Sequence, residues 1–399
     1  MEFLKHTITW LGRQVWEPVK GWVSRRSWFS KCCLLLILFL VVAGLKYPKE
    51  TGEWLGSAKY YWIAIRGESG RPIPLTITQR RSLDLAINAM TSILRFKTEQ
   101  LDDLSAWSIG QLLASLPRAE TDQVLSNLLS VASKYSMPDQ RGFKEFENDL
   151  FSQIQVTAWL AYGCAKVGKP FDDRHLEFLL NQQETQGPNP GWWSVYPCDA
   201  KRAENASTYA TAWCVLSLHE LVSRNLVLPS HLRLVKRSID SGRQWLIGQR
   251  ISDKVRWYDY SFRGGERMES LSVSGLVMHA LHVLDPNGVQ TPFNQLDAEW
   301  LRTLPSEIPS ATYKEVSGLT IQLGPVLLRR DTIRHYVLPW ELIATVDAYK
   351  NGNLFEKVRA LKWIDHLLVK AGEFQTSVND AYWIAAELLI ALIYLDGRT

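Results

Sequence analysis

The sequence has little of what several common chemistries require. Its five cysteines are Cys32, Cys33, Cys164, Cys198 and Cys214, and no Cys/His spacing around them matches a zinc site. No glycine-rich loop of the phosphate-cradling kind is present, so neither a metal nor a nucleotide cofactor is expected. Net charge is small, at +4, and it sits entirely in residues 1–31, where Lys5, Arg13, Lys20, Arg25, Arg26 and Lys31 face Glu2 and Glu17. The remainder is balanced, which removes the electrostatic basis for nucleic-acid binding.

Long apolar runs are also scarce, with one exception. Cys32–Leu45 is an uncharged apolar run of 14 residues, short for a membrane span until Trp28, Phe29 and Tyr47 extend it into the two interfaces. Basic residues precede it, so the positive-inside rule keeps the N-terminus cytoplasmic and sends the rest out. Residues 28–47 therefore read as a single-pass signal anchor of a plasma (inner) membrane, with the C-terminal domain periplasmic or extracellular. A cleaved signal peptide is the competing reading, with Val41-Val42-Ala43 as its small-residue site, but 31 residues make a long leader before the apolar core. Within residues 1–27, Leu4, Ile8, Leu11, Val15 and Val19 recur at helical spacing. That makes an amphipathic segment for the membrane face or, with the anchor, for a membrane-protein partner of residues 1–45.

What the chain does have is tryptophan, seventeen of them, in a composition that is 46% apolar and 22% charged. These proportions are globular, with ample material for a core. The stretch Glu204–Leu221 reads as a buried helix capped by Ser207 or Asn205, and its triplet Thr211-Ala212-Trp213 recurs. Thr157-Ala158-Trp159 and Ser105-Ala106-Trp107 lie upstream. Ser274-Gly275-Leu276, Leu338-Pro339-Trp340 and Ala385-Ala386-Glu387 follow downstream at similar spacing. Between these six anchors lie more charged, amphipathic helices: Ser82–Phe96, Thr121–Tyr135, His175–Gln183, Leu232–Gln249, Gln295–Leu304 and Leu354–Ala371. Buried and amphipathic helices in alternation imply an all-α fold, an α/α toroid of about six helical hairpins over residues 82–399, after a connector at 48–81.

Two of the amphipathic helices end in Leu-Leu-Asn-Gln-Gln183 and Trp-Leu-Ile-Gly-Gln249. Aromatic loops follow, Gly191-Trp192-Trp193 and Arg256-Trp257-Tyr258. This pattern resembles the Gln…Gly-x-Trp repeats of the terpenoid cyclase and protein prenyltransferase toroids, over roughly residues 82–397. The resemblance implies a toroid with a central cavity and no catalytic residue. The Asp-x-Asp-Asp proton donor of the cyclases is missing, and Cys198-Asp199 reverses the prenyltransferase zinc pair.

If the inner helices run in one direction, the loops leading into them gather at one mouth. Three are long: Gln186–Ala203, Ile251–Arg267 and Leu304–His335, the last with a strand pair around Thr320–Leu328. Long loops of this kind often bind. Acids stand before most anchors, and Glu204, Glu269, Asp331 and Asp380 are the candidate catalytic carboxylates. Trp192, Trp193, Trp257, Tyr258 and His335 are the candidate ligand-binding residues. Carboxylate pairs permit acid–base chemistry on a glycosidic bond, and flat aromatic rings stack on sugars. The plainer explanation is that acids favour helix N-termini. Two readings of function follow. One is a membrane-anchored enzyme on a cell-envelope glycan or lipid-linked saccharide, and the other is a non-catalytic ligand-binding or scaffold toroid in an envelope complex. Trp107, Trp159 and Trp213 read as core, and so does His279. A disulfide between Cys164 and Cys214 is an expectation from their place on neighbouring inner helices, although at different depths.

Overall fold

The computed structural model describes residues 48–66, 73–98, 104–116, 122–137, 142–187, 189–197, 206–251, 254–259, 269–289, 291–304, 314–323, 327–372 and 382–397. The amphipathic segment and the apolar run Cys32–Leu45 lie outside them. Among the described residues no helix is long and apolar enough to cross a membrane. Contacts divide the chain into Met1–Trp62 and Ile63–Thr399. The stretch expected to be a connector carries a helix, α1 (Pro48–Arg66). Pro48 suits its first position, since the N–H that proline lacks has no partner there.

Six inner helices form a ring. They are α3 (Ala106–Ser115), α5 (Ile154–Lys166), α7 (Thr208–Ser223), α9 (Leu271–Leu284), α11 (Val337–Tyr349) and α13 (Tyr382–Asp396). Each packs on the next, and α13 packs back on α3, which closes the ring. The outer helices are α2 (Ile77–Thr98), α4 (Asp122–Ser133), α6 (Asp173–Gln182), α8 (Pro229–Gly248), α10 (Phe293–Arg302) and α12 (Leu354–Gly372). The expected α/α toroid of six hairpins is the observed fold, and all six expected outer helices are present.

Sequence explains the two roles. An inner helix is covered on every side: Ile154–Ala165 of α5 and all of α11 are buried. Such helices need no polar face. The outer helix α8 buries one stripe, Val235, Ser238, Ile239, Gly242, Trp245 and Leu246 among others, at the spacing of an amphipathic helix. Glycine lets inner backbones approach. A Cβ on Gly110 would lie 2.8 Å from the Trp159 carbonyl carbon, and one on Gly275 would lie 2.6 Å from the Trp340 oxygen.

The Ser/Thr anchors have a defined mechanical role. Thr157, Thr211 and Ser274 stand four residues inside their helices, and each hydroxyl donates back to the carbonyl of Gln153, Ser207 or Ser270 at 2.8, 2.7 and 2.5 Å. The same oxygens accept the N–H of Phe143, Trp193 and Trp257 from the incoming loops at 3.0, 3.0 and 2.9 Å. One hydroxyl thus pins each loop to its helix entry. Ser105 does not share this role, although its triplet looks alike. It is the N-cap of α3, accepting from the Ser108 N–H, a position equivalent to Ser207 and Ser270 rather than to Thr211.

Candidate functional site

The inner helices run parallel. Residues near their starts meet one another, as Trp213 and Trp340 do (ring centroids 5.2 Å apart), and residues near their ends meet likewise, as His279 and Tyr394 do (5.1 Å). The long loops therefore enter at one mouth. There two short strands, β1 (Trp257–Tyr258) and β2 (Glu269–Ser270), pair antiparallel. A hairpin of β3 (Lys314–Leu323) and β4 (Leu327–Tyr336) pairs from Lys314 opposite Tyr336 to Leu323 opposite Leu327. The strand pair expected around Thr320–Leu328 is thus present and longer than expected.

Of the four expected catalytic carboxylates, only the Glu269 side chain is among the described residues. Glu204 and Asp380 lie outside the described residues. Asp331 lies on β4 opposite Leu319, and its side chain lies outside the description. Glu269 is exposed and ion-paired with Lys254 at 2.7 Å. Trp193 and Trp257 are fully buried, and their indole N–H groups donate to the carbonyls of Leu179 and Leu246, both at 2.7 Å. That places them as wedges between mouth loop and outer helix. Trp192 is buried and Tyr258 half-buried. Gln183, the residue that carried the resemblance to the toroid repeats, donates to the carbonyls of Gly191 and Ser238. Gly191 has φ +114°, and a Cβ on it would lie 2.3 Å from the Ser241 oxygen.

His335 is where the mouth acquires chemistry. Its Nε2 lies 2.7 Å from Oδ2 of Asp259, and both residues are buried. Asp259 follows β1, and its carbonyl accepts the N–H of Thr208 at the start of α7 at 2.9 Å, so the helix entry fixes the carboxylate. Burial works against the charged imidazole, but the Asp259 carboxylate outweighs it and His335 titrates above its ordinary value. The Tyr209 ring lies 4.3 Å from the His335 ring, and its hydroxyl accepts the Trp159 indole N–H at 3.3 Å. Burial pushes that phenol well up. Trp107, half-buried, stacks against Tyr209 at 6.1 Å.

A carboxyl not among the acids expected from the sequence completes the cluster. Glu387 of α13 takes the Gln111 amide of α3 on Oε1 at 2.7 Å and the Trp340 indole N–H of α11 on Oε2 at 3.1 Å. Burial raises it to about 7, against the two hydrogen bonds and the charge of His335. Glu341, next to Trp340, is raised by burial to about 7 as well, with Arg256 opposing. Glu315 does something else. It accepts from the Ser270 hydroxyl and from the Leu271 and Ser272 N–H groups at the start of α9, which is helix capping. Asp259 Oδ1, His335 Nδ1, Gln111 Oε1 and Glu341 Oε2 are buried and without a hydrogen-bond partner among the described residues. An unsatisfied buried polar atom costs about 1–3 kcal/mol, and such atoms gather where function requires them.

Two of the cysteines are among the described residues. Cys164 and Cys214 are free and buried, so the disulfide expected between them does not form. Burial pushes Cys164 up to about 12 and Cys214 well above its ordinary value, so both are inert apolar side chains. Cys198 lies outside the described residues. Among the described residues no group of three His, Cys, Asp or Glu side chains could hold a metal.

No family model and no curated protein matches the chain. A solved structure that it resembles is the crystal structure of a reducing end xylose-releasing exo-oligoxylanase, at 12% identity and a TM-score of 0.47, over 73% of this chain and 80% of that one. A likeness of that depth transfers no residue and no activity.

Proposed function

We propose that the chain is a hydrolase of a cell-envelope glycan or lipid-linked saccharide, working at the N-terminal end of its inner ring. The observation that carries this reading is Glu387, a carboxyl inside the ring that burial holds at about 7. Such a group is protonated often enough at neutral pH to donate, and basic enough to be reloaded. Glu387 is the acid that protonates the leaving oxygen as the glycosidic C–O bond breaks. Water supplies the new C–O bond, and its proton goes to Asp259 through the unpartnered Oδ1, while His335 holds Oδ2. Trp107, half-buried, offers a flat face to the sugar. The anchor at residues 28–47 belongs to the same proposal, and the charge asymmetry around it supports placing the toroid on the outer face of the plasma membrane.

One observation favours the scaffold alternative. Glu387 bridges three inner helices through Gln111 and Trp340, which is also what a structural staple does. Neutral oligosaccharides are incubated with the wild type, Glu387→Gln and Asp259→Asn, and reducing ends and melting temperatures are measured. Loss of an acid or base should cut turnover about 10²–10⁴-fold with folding intact. Turnover absent from the wild type, or variants that lose only melting temperature, leaves the scaffold standing and the hydrolase refuted.

A further inference from the structure

The mouth does not account for all the polar chemistry of the ring. At the opposite end, a cavity of ≈ 550 Å³ opens beside the ends of α9, α11 and α13 and the start of α10, a volume within the range of small-molecule sites. We propose that this cavity is a second binding site, one for a neutral, hydroxylated ring of monosaccharide size.

The charges of the cavity point to a neutral ligand. Asp347 lines it, but its carboxylate is already engaged, by His279 Nδ1 at 2.9 Å and by the Tyr394 hydroxyl. Asp297, behind the wall, accepts from His282 at 2.8 Å and from the Asn351 amide at 2.7 Å. A cation would find these carboxylates satisfied. An anion would meet Lys350, but with Asp347 in the same cavity, so neither sign of charge gains. Hydroxyl groups suit the site better. Thr291 is 2% exposed, lines the cavity, and its Oγ1 has no hydrogen-bond partner among the described residues. Phe293 lies parallel to His282 at 3.9 Å and 15°, which gives the cavity a flat apolar wall. Polar groups converging beside an aromatic face match a ring that carries hydroxyls at its edge and C–H bonds on its face.

The wall is also preformed. Asp285 accepts the N–H groups of Val289 and Thr291 at 3.0 and 2.9 Å, which fixes the turn that presents Thr291. Gly288 gives that turn its positive φ, +64°. A ligand therefore meets ordered donors and spends little on arranging them.

The test is titration of the full chain with glucose, glucuronate and glucosamine, followed by ligand-observed NMR. Glucose should saturate in the millimolar range, with both charged analogues about tenfold weaker or more. Thr291→Val should weaken glucose about fivefold, the size of one hydrogen bond, with an unchanged far-UV spectrum. Lys350→Glu, at an exposed position, should move preference towards glucosamine even if the valine variant folds poorly. Glu387→Gln should bind glucose as the wild type does, whatever becomes of hydrolysis at the mouth. The proposal is overturned if glucose does not saturate, if a charged analogue binds tighter, if neither cavity variant changes binding, or if Glu387→Gln abolishes it.

Discussion

Glu387 occupies the position that tryptophan holds in Thr157-Ala158-Trp159 and Thr211-Ala212-Trp213, and a carboxyl there has consequences for pH. Its value in the fold, about 7, lies above the ordinary 4.5, and Glu341 behaves alike. For a group raised in this way the native state favours the proton. Stability is therefore full below about 4.5 and falls as pH rises towards 7, by ~3 kcal/mol for each such carboxyl at 1.36 kcal/mol per unit. His335 is raised too, so its contribution is present below its unfolded value and is lost as pH climbs through its folded one. The three effects share a sign. Thermal melts should show a higher melting temperature at pH 5 than at pH 8, and Glu387→Gln should flatten part of the slope. Equal melting at both values, or a slope undiminished by Glu387→Gln and Glu341→Gln together, would show that these carboxyls are not held neutral.

At the scale of the element, the hydroxyl that pins each loop is the device that repeats. Thr211→Val leaves the buried Trp193 N–H without its acceptor, which should cost about 1–3 kcal/mol. Thr211→Ser should restore most of it. Chemical denaturation of the two variants separates a hydrogen-bond effect from a packing effect, and equal losses would argue for packing. Much of this scaffold was legible in the sequence, because a buried helix needs apolar residues on all faces and an outer one needs a stripe. Ser105 misled because Ser-Ala-Trp looks the same at an N-cap as four residues inside a helix, and only the backbone distinguishes the two positions. The candidate acids stand just before the helices, and of these Glu269 is exposed and paired with Lys254. The proposed acid lies inside a helix: Glu341 and Glu387 are carboxyls within buried inner segments. Asp259 could not be found that way, since its partner His335 is 76 residues distant and only the packing of the neighbouring inner helices α9 and α11 brings them together. His335 is legible as a candidate, being the histidine at the end of the longest mouth loop.

Within Ile63–Thr399 the inner helices form a ring with two unlike ends. At one end the long loops deliver Asp259 and His335 to a cluster of Tyr209, Trp107 and Glu387. At the other, short turns follow the inner helices, and the cavity beside His282 and Asp347 opens there. Closure of α13 on α3 matters to the first end, because the Gln111–Glu387 bond is made across that seam. The most direct measurement is a crystal structure of Glu387→Gln with an oligosaccharide that the wild type cleaves. A sugar ring should lie against Trp107, with a glycosidic oxygen about 2.6–3.2 Å from the side chain at 387 and water near Asp259. An oligosaccharide bound only at the far cavity, or at the mouth with its glycosidic oxygens beyond reach of residue 387, would contradict a carboxylate-based hydrolase at the head of the ring.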